Sequence, residues 1–432
     1  MATRNAQSNT SARSRAADII RAWIETRAYP DRLLQGVAGD QRAAVMEMAY
    51  GVVRQFRALE FIRAALAPKT PAPAVHAVLL IGLYQVFYMD RQQPHAVVNE
   101  TVEAAKRASG RRAGDFVNAV LRRSLRERDA LRSRLAQQSV GVRLSHPDNL
   151  LTRWRQHLEE DAVIQLCEWN NSRPGVVLRV NRLRARTEAL LGRMLEAGID
   201  PDPHPYAPEQ CLTLPRGTSV EKVPGYQEGW FAVQDPSTLA AVSLLAPQPG
   251  ERVLDLCAAP GGKTALIVEQ MNGEGVVVAV DLAADRLGVL QTNLSRLGCD
   301  VVAIRQADAT DSVALAKATD GLAPNGFDRI LLDVPCTNTG VLRRRPDARW
   351  RFDEKRLREA VRIQRQLLDA AAPHLRTGGS MVYSTCSREP EENKKQVNAW
   401  LSENKDIRCV REFALFPPED QTDGAYAALL QK

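Results

Sequence analysis

The sequence predicts a multidomain chain: an all-α bundle, then a small ferredoxin-like α/β segment, then a Rossmann-like α/β domain. Apolar residues recur at three- and four-residue spacing up to about residue 135, which is the helical period. From about residue 250, short apolar runs alternate with helical stretches, the pattern of a doubly wound parallel sheet. At 432 residues the chain is also too long for one ordinary core.

In the first part, "SRAADIIRAWIE" (14–25), "AAVMEMAYGVVRQFRALEFIRAAL" (43–66) and "AVHAVLLIGLYQVFYM" (74–89) read as helices, with "APKTPAP" (67–73) as a break. "SHPDNLLTRWRQHLEEDAVIQLCEWNN" (145–171) reads as a linking helix pair. "GVVLRVN" (175–181), "CLTLP" (211–215) and "WFAVQD" (230–235) read as strands. "RTEALLGRMLEAGID" (186–200) reads as a helix ended by Gly198. The runs "RVLDLC" (252–257), "VVVAV" (276–280), "VVAIR" (301–305), "RILLD" (329–333) and "SMVYST" (380–385) suit buried parallel strands. Domains are therefore expected at 1–140, 141–235 and 236–432.

Composition narrows the class. Hydrophobic residues at 44% and charged residues at 25% are ordinary for a globular protein. No apolar run reaches the roughly eighteen residues of a membrane span. The start, "MATRNAQSNTSARSRAAD", lacks the apolar core of a secretory signal. It reads as a frayed basic tail, with an organelle transit peptide as the other reading. The net charge of +7 suits a polyanionic partner. "KRASGRRAGDFVNAVLRRSLRERDALRSRL" (106–135) is dense in arginine and nearly free of acids before Glu127. Arg111, Arg112, Arg122 and Arg123 there, with Arg343, Arg344, Arg345 and Trp350 in "RRRPDARWR", are the candidates for RNA contact. The seven cysteines are scattered with no C-x-x-C pair, so neither a metal site nor a disulfide framework is expected, and a reducing, cytoplasmic setting is.

In a doubly wound sheet, ligands bind at the carboxyl ends of the strands. The first run leads into "DLCAAPGGKT" (255–264). A phosphate-binding loop needs glycine where Cys257 stands, and Pro260 stiffens the turn, so a nucleoside-triphosphate site is disfavoured. Gly261 and Gly262 still allow close approach of a ligand to the backbone. Asp281, Asp308 and Asp333 follow the next three runs. Each alone reads as a cap. Together they suit an adenosine-bearing cofactor without phosphate, with Asp281 on the ribose hydroxyls and Asp308 on the adenine amino group; S-adenosylmethionine fits.

Cys336 follows a proline in the polar loop "DVPCTNTG" (333–340), and Cys386 follows "YST" before "SREPEEN", a loop opening a helix. A helix N-terminus favours thiolate. Two thiols beside a methyl donor suggest methylation of a poorly nucleophilic carbon such as C5 of a pyrimidine. Thiolate addition to C6 activates C5, and the second thiol assists breakdown of the adduct. Cys257 reads as packing, though within the cofactor loop.

"LDLCAAPGGKT", "DVPCTNTG", "YSTCSREPEEN" and "FAVQDPST" (231–238) resemble, in order and spacing, the signature blocks of the RNA cytosine-C5 methyltransferases of the NOL1/NOP2/Sun group. "YQVFYMDRQQPHAVVNETVEAAKR" and "FVNAVLRR" resemble a NusB-like RNA-binding domain, and "GVLRRRPDARW" (340–350) is similar to the run after the proline-cysteine motif. The resemblance covers nearly the whole chain. It implies a 16S rRNA cytosine-C5 methyltransferase, expected as a monomer, that uses S-adenosylmethionine. It further implies Cys386 as nucleophile and Cys336 as releasing thiol. Cys257, Ala258, Ala259, Pro260, Gly261, Gly262, Lys263, Asp281, Asp308 and Asp333 would line the cofactor pocket, with Asp333 also meeting the target base. Val334 and Thr337 stand where alanine and serine are usual, and "DGAYAALL" (423–430) lacks the usual aromatic pair. A non-catalytic NusB-like regulator, and the same chemistry on tRNA or another rRNA cytosine, are the rival readings.

Overall fold

The computed structural model describes residues 11–37, 39–89 and 92–432. Within them the chain forms two compact units. One runs up to Ser172 and takes in Arg345–Arg351; the other comprises Arg173–Arg344 and Phe352–Lys432.

The first unit is helical. Pro73–Tyr88 is apolar on nearly every face and almost wholly buried, so it forms the centre. Ala12–Thr26, Gly39–Arg54, Pro94–Ser109 and Arg111–Arg126 each bury one stripe around it. Proline opens the Pro73 and Pro94 helices, where its missing N–H costs nothing. Gly110, at φ +81°, splits the arginine-rich run into two helices. The tail expected over residues 1–18 is helical from Ala12, with Ser11 capping through Ser14 N–H; residues 1–10 lie outside the described set. Asp148–Trp154 and Glu160–Asn171 complete the unit. Among the described residues no helix is long and apolar enough to cross a membrane.

The second unit holds two sheets. The smaller is antiparallel, order β2-β3-β1-β4, built from β1 (Val177–Val180), β2 (Asp202–Pro203), β3 (Cys211–Thr213) and β4 (Phe231–Val233). Helix Thr187–Glu196 lies between β1 and β2 in sequence. The larger sheet contains β5 (Arg252–Leu256), β6 (Val276–Asp281), β7 (Val302–Gln306), β8 (Phe327–Asp333), β9 (Leu375–Thr385), β10 (Arg408–Leu415) and β11 (Ala425–Gln431). Its order is β10-β11-β9-β8-β5-β6-β7. β5 to β9 pair in parallel, while β11 pairs antiparallel with both β9 and β10. This is a Rossmann-like sheet with an antiparallel margin. A buried Arg179–Glu269 ion pair ties β1 of the small sheet to helix Gly262–Gln270 of the large one. Burial makes removal of either partner costly, on the order of 3–5 kcal/mol.

Candidate active site

The site lies at the carboxyl ends of β5, β6, β8 and β9. β5 delivers Cys257, Ala258, Ala259 and Pro260 into a tight turn. Cys257 sits at φ +62° and Gly261 at φ +100°. A Cβ on Gly261 would come within 2.6 Å of the Leu290 side chain, and its φ favours glycine; one on Gly262 would come within 2.9 Å of the Gln234 amide. Burial and three surrounding carboxylates (Asp281, Asp333, Asp255) push the Cys257 thiol far up, which suits a packing role.

Asp281, at the end of β6, is buried. Its Oδ2 accepts Ala259 N–H at 3.0 Å, its Oδ1 accepts Ala283 N–H at 3.3 Å, and Arg286 pairs with it at 3.3 Å. Asp308 follows β7 and is exposed. It accepts Thr310 N–H and Oγ1–H at 2.9 and 2.7 Å, which lower its pKa.

Asp255, inside β5, is buried beneath the turn. Thr264 donates to its Oδ2 at 2.6 Å, while its Oδ1 is buried without a partner. Burial raises its pKa to about 7 despite that hydrogen bond. These strand ends thus bring together carboxylates and a backbone turn, with an unpartnered carboxyl oxygen beneath it, and the cations Lys263 and Arg286 are already paired. Such a donor set fits a cationic ligand with hydroxyls and an amino-acid tail better than a phosphate.

At the end of β8, Asp333 accepts from Lys263 Nζ (2.7 Å) and from Ser384 Oγ (2.8 Å). Burial works against the Lys263 ammonium, but Asp333 and the nearby Cys386 sulfur outweigh it and raise its pKa. Beyond Asp333 and Thr385 the two thiols meet: Cys336 Sγ and Cys386 Sγ are 3.1 Å apart. The hydrogen bond to Cys386, then burial, then the charges of Cys386 and Glu392 hold the Cys336 thiol well above its usual range. The Cys386 thiol also donates to Asn338 Oδ1 (3.3 Å), and Asn338 Nδ2 donates to Cys336 O (2.9 Å). Asn338 sits at φ +61°, a conformation that asparagine tolerates. The following helix begins only at Lys394, so it does not place Cys386 at its N-terminus; Lys263 is the cation near that sulfur.

Arg111, Arg112, Arg122 and Arg123 are exposed on the Arg111–Arg126 helix. Arg122 bonds Asn118, while Arg123 pairs with Glu127 and donates to Leu66 O. Arg345 is exposed, 4.0 Å from Asp31. Arg343 donates to Arg173 O. Arg344 is held between Asp235 (2.8 Å), which is half-buried, and Asp423 (3.0 Å), which is buried, so it pins the loop after Cys336. Trp350 donates its indole N–H to Val53 O (2.8 Å) and meets Phe56 edge-on, so its ring is not open to stack on a base. Its neighbour Arg349 is fully buried and donates to the carbonyls of Ser145 and Asn170 and to the Asn171 side chain.

Sequence reasoning missed Asp255, Asn338, Ser384 and the buried Glu392, whose oxygens bond both cysteine loops. Each lies inside or beside a quoted motif. For Asp255, Asn338 and Glu392 the usable signal was an acid or amide in or beside a motif that already demanded partners; the Ser384 hydroxyl gave no such signal.

Comparison with known proteins adds to this geometry. Residues 242–431 match the family model for the 16S rRNA methyltransferase RsmB/F, residues 10–126 the NusB family, and residues 146–221 the ferredoxin-like domain of RsmF/B-like methyltransferases. Ribosomal RNA small subunit methyltransferase B of Pectobacterium atrosepticum is 38% identical over 408 residues, which is 92% of each chain. Its namesake in Vibrio cholerae is 39% identical over 410 residues, 92% of this chain and 91% of that one. The crystal structure of PH0851 aligns with a TM-score of 0.79 at 22% identity, covering 98% of this chain and 99% of that one; this likeness concerns the fold alone.

Proposed function

Because the chain belongs to the RsmB/F family of 16S rRNA methyltransferases and depends on S-adenosylmethionine, we propose that it methylates C5 of a cytosine through a covalent adduct on Cys386. The observation that supports this most is the 3.1 Å approach of the Cys336 and Cys386 sulfurs beside the Lys263–Asp333 ion pair.

S-adenosylmethionine supplies the methyl group. Gly261, Gly262 and the turn before them would hold it, with Asp281 available to the ribose hydroxyls and Asp308 to the adenine amino group. Cys386, as thiolate, adds to C6 and makes C5 electron-rich. Lys263 faces the negative charge that this addition pushes into the ring, and Asp333 holds its ammonium in place. After methyl transfer, loss of the C5 proton expels the Cys386 sulfur with the electron pair of the C6–S bond. Cys336, as thiolate, takes that proton. While Cys386 is free, the hydrogen bond to it is the foremost influence keeping Cys336 protonated. Once Cys386 is bonded to carbon, that hydrogen bond is gone, while burial and Glu392 still act on Cys336.

The same reading takes 16S rRNA as substrate of a cytoplasmic monomer, with domain boundaries near residues 140 and 235. RNA backbone is met by Arg111, Arg112, Arg122 and Arg123. No acid occupies the first turn of their helix, so Arg111 and Arg112 add to its positive end. Bisulfite mapping of RNA from cells lacking the gene tests it. One 5-methylcytosine should vanish from 16S rRNA, with tRNA unchanged. Loss from tRNA, or no loss, contradicts it.

A further inference from the structure

Cys336 and Cys386 are held in unequal ways. Cys386 directly follows β9, whose final residue, Thr385, is hydrogen-bonded through Oγ1 to Asn393 (2.6 Å). Asn393 Nδ2 in turn donates to Ser387 O (2.9 Å), and Cys386 O accepts Gly340 N–H (2.9 Å). Its position thus has several supports. Cys336 lies beyond the end of β8, in a loop without regular structure.

That loop converges on one side chain. Glu392 is fully buried. Its Oε1 accepts Thr337 N–H at 2.9 Å and Gln364 Nε2 at 3.0 Å; its Oε2 accepts the hydroxyls of Thr337 and Ser387. Gln364 also donates to Pro335 O at 3.0 Å. The residues on both sides of Cys336 are therefore gripped, one by Glu392 directly and one through Gln364. Only one of the four bonds to this carboxylate goes to the Cys386 loop. A buried carboxylate with all its acceptor sites used in this way orders its surroundings strongly.

We propose that Glu392 is a positioning residue for adduct release: it holds Cys336 against the Cys386 sulfur, while Cys386 keeps its place without it. This rests on the thiol roles given above. Removing the carboxylate should then spare attack and methyl transfer but impair loss of the C5 proton.

The test uses the full-length protein with 16S rRNA and S-adenosylmethionine, read on a denaturing gel beside Cys336→Ala. Glu392→Ala should bind the cofactor normally, turn over about a hundredfold more slowly, the low end of what a general base contributes, and accumulate a protein–RNA species. Glu392→Gln keeps a carbonyl acceptor for Thr337 N–H, and its amide can donate to the two hydroxyls. It should stay within about tenfold of the parent. Thr337→Val, which deletes one bond to the carboxylate, should trap a smaller fraction and serves if Glu392→Ala does not fold. A folded Glu392→Ala that loses turnover without trapping overturns the proposal, as does one that turns over normally. If Cys336→Ala itself traps nothing, it is the thiol assignment that fails instead.

Discussion

Lys263 and Asp333 are joined at 2.7 Å, one from the first turn of helix Gly262–Gln270 and the other from the end of β8. The pair links the glycine turn after β5 to the thiols, because Ser384, which donates to Asp333, lies two residues before Cys386. Consequences of this arrangement can be measured at each of its parts.

Asp281→Ala should weaken S-adenosylmethionine binding by about 1.5–3 kcal/mol, the worth of hydrogen bonds to a charged group. Asp281 also holds Ala259 N–H, so part of the loss is disorder of the turn. Titration calorimetry on the pure protein checks it. Unchanged affinity would remove Asp281 from the cofactor site.

Neutralising Arg111, Arg112, Arg122 and Arg123 together should lower RNA affinity and flatten the plot of log affinity against log salt by roughly two to three units. Arg123 already shares its charge with Glu127 and contributes least. Cofactor binding should be intact. An unchanged slope would make this helix face merely solvated.

Stability should fall as pH rises from about 4 to about 7 at two buried acids. Burial raises the pKa of Asp255 to about 7, and burial followed by the charge of Asp235 does the same for Asp423, from an ordinary value of 3.8. Between those values the folded chain keeps protons that the unfolded chain has released. Asp255→Asn cannot ionise, so its stability relative to the parent should climb across this window and level off above it. Urea melts at about pH 5 and about pH 8 would show the climb; parallel curves would mean Asp255 is ionised at no cost.

The five parallel strands were legible because each is a short apolar run bounded by turn residues, and the site followed from where those runs end. β11 was not legible. "AYAALLQ" is rich in helix formers, and only its place between β9 and β10 makes it a strand. The run "RRRPDARWR" shows a related limit of the sequence. In sequence it is a basic stretch with an aromatic, as an RNA site would be. In the fold Arg344 meets two carboxylates, Arg349 fills a cage of carbonyls and Trp350 packs on Phe56. A charge count along the chain cannot register partners that tertiary contacts bring from elsewhere.

The central claim is that the two thiols take different steps on one adduct. It is tested most directly by incubating Cys336→Ala and Cys386→Ala with 16S rRNA and S-adenosylmethionine and running each on a denaturing gel. Cys336→Ala should attack and methylate but fail to release, giving a stable protein–RNA band. Cys386→Ala should give none, and neither should the double variant, since no bond to C6 forms. A band in Cys386→Ala with none in Cys336→Ala would exchange the roles, and normal turnover in both would contradict covalent catalysis by these sulfurs.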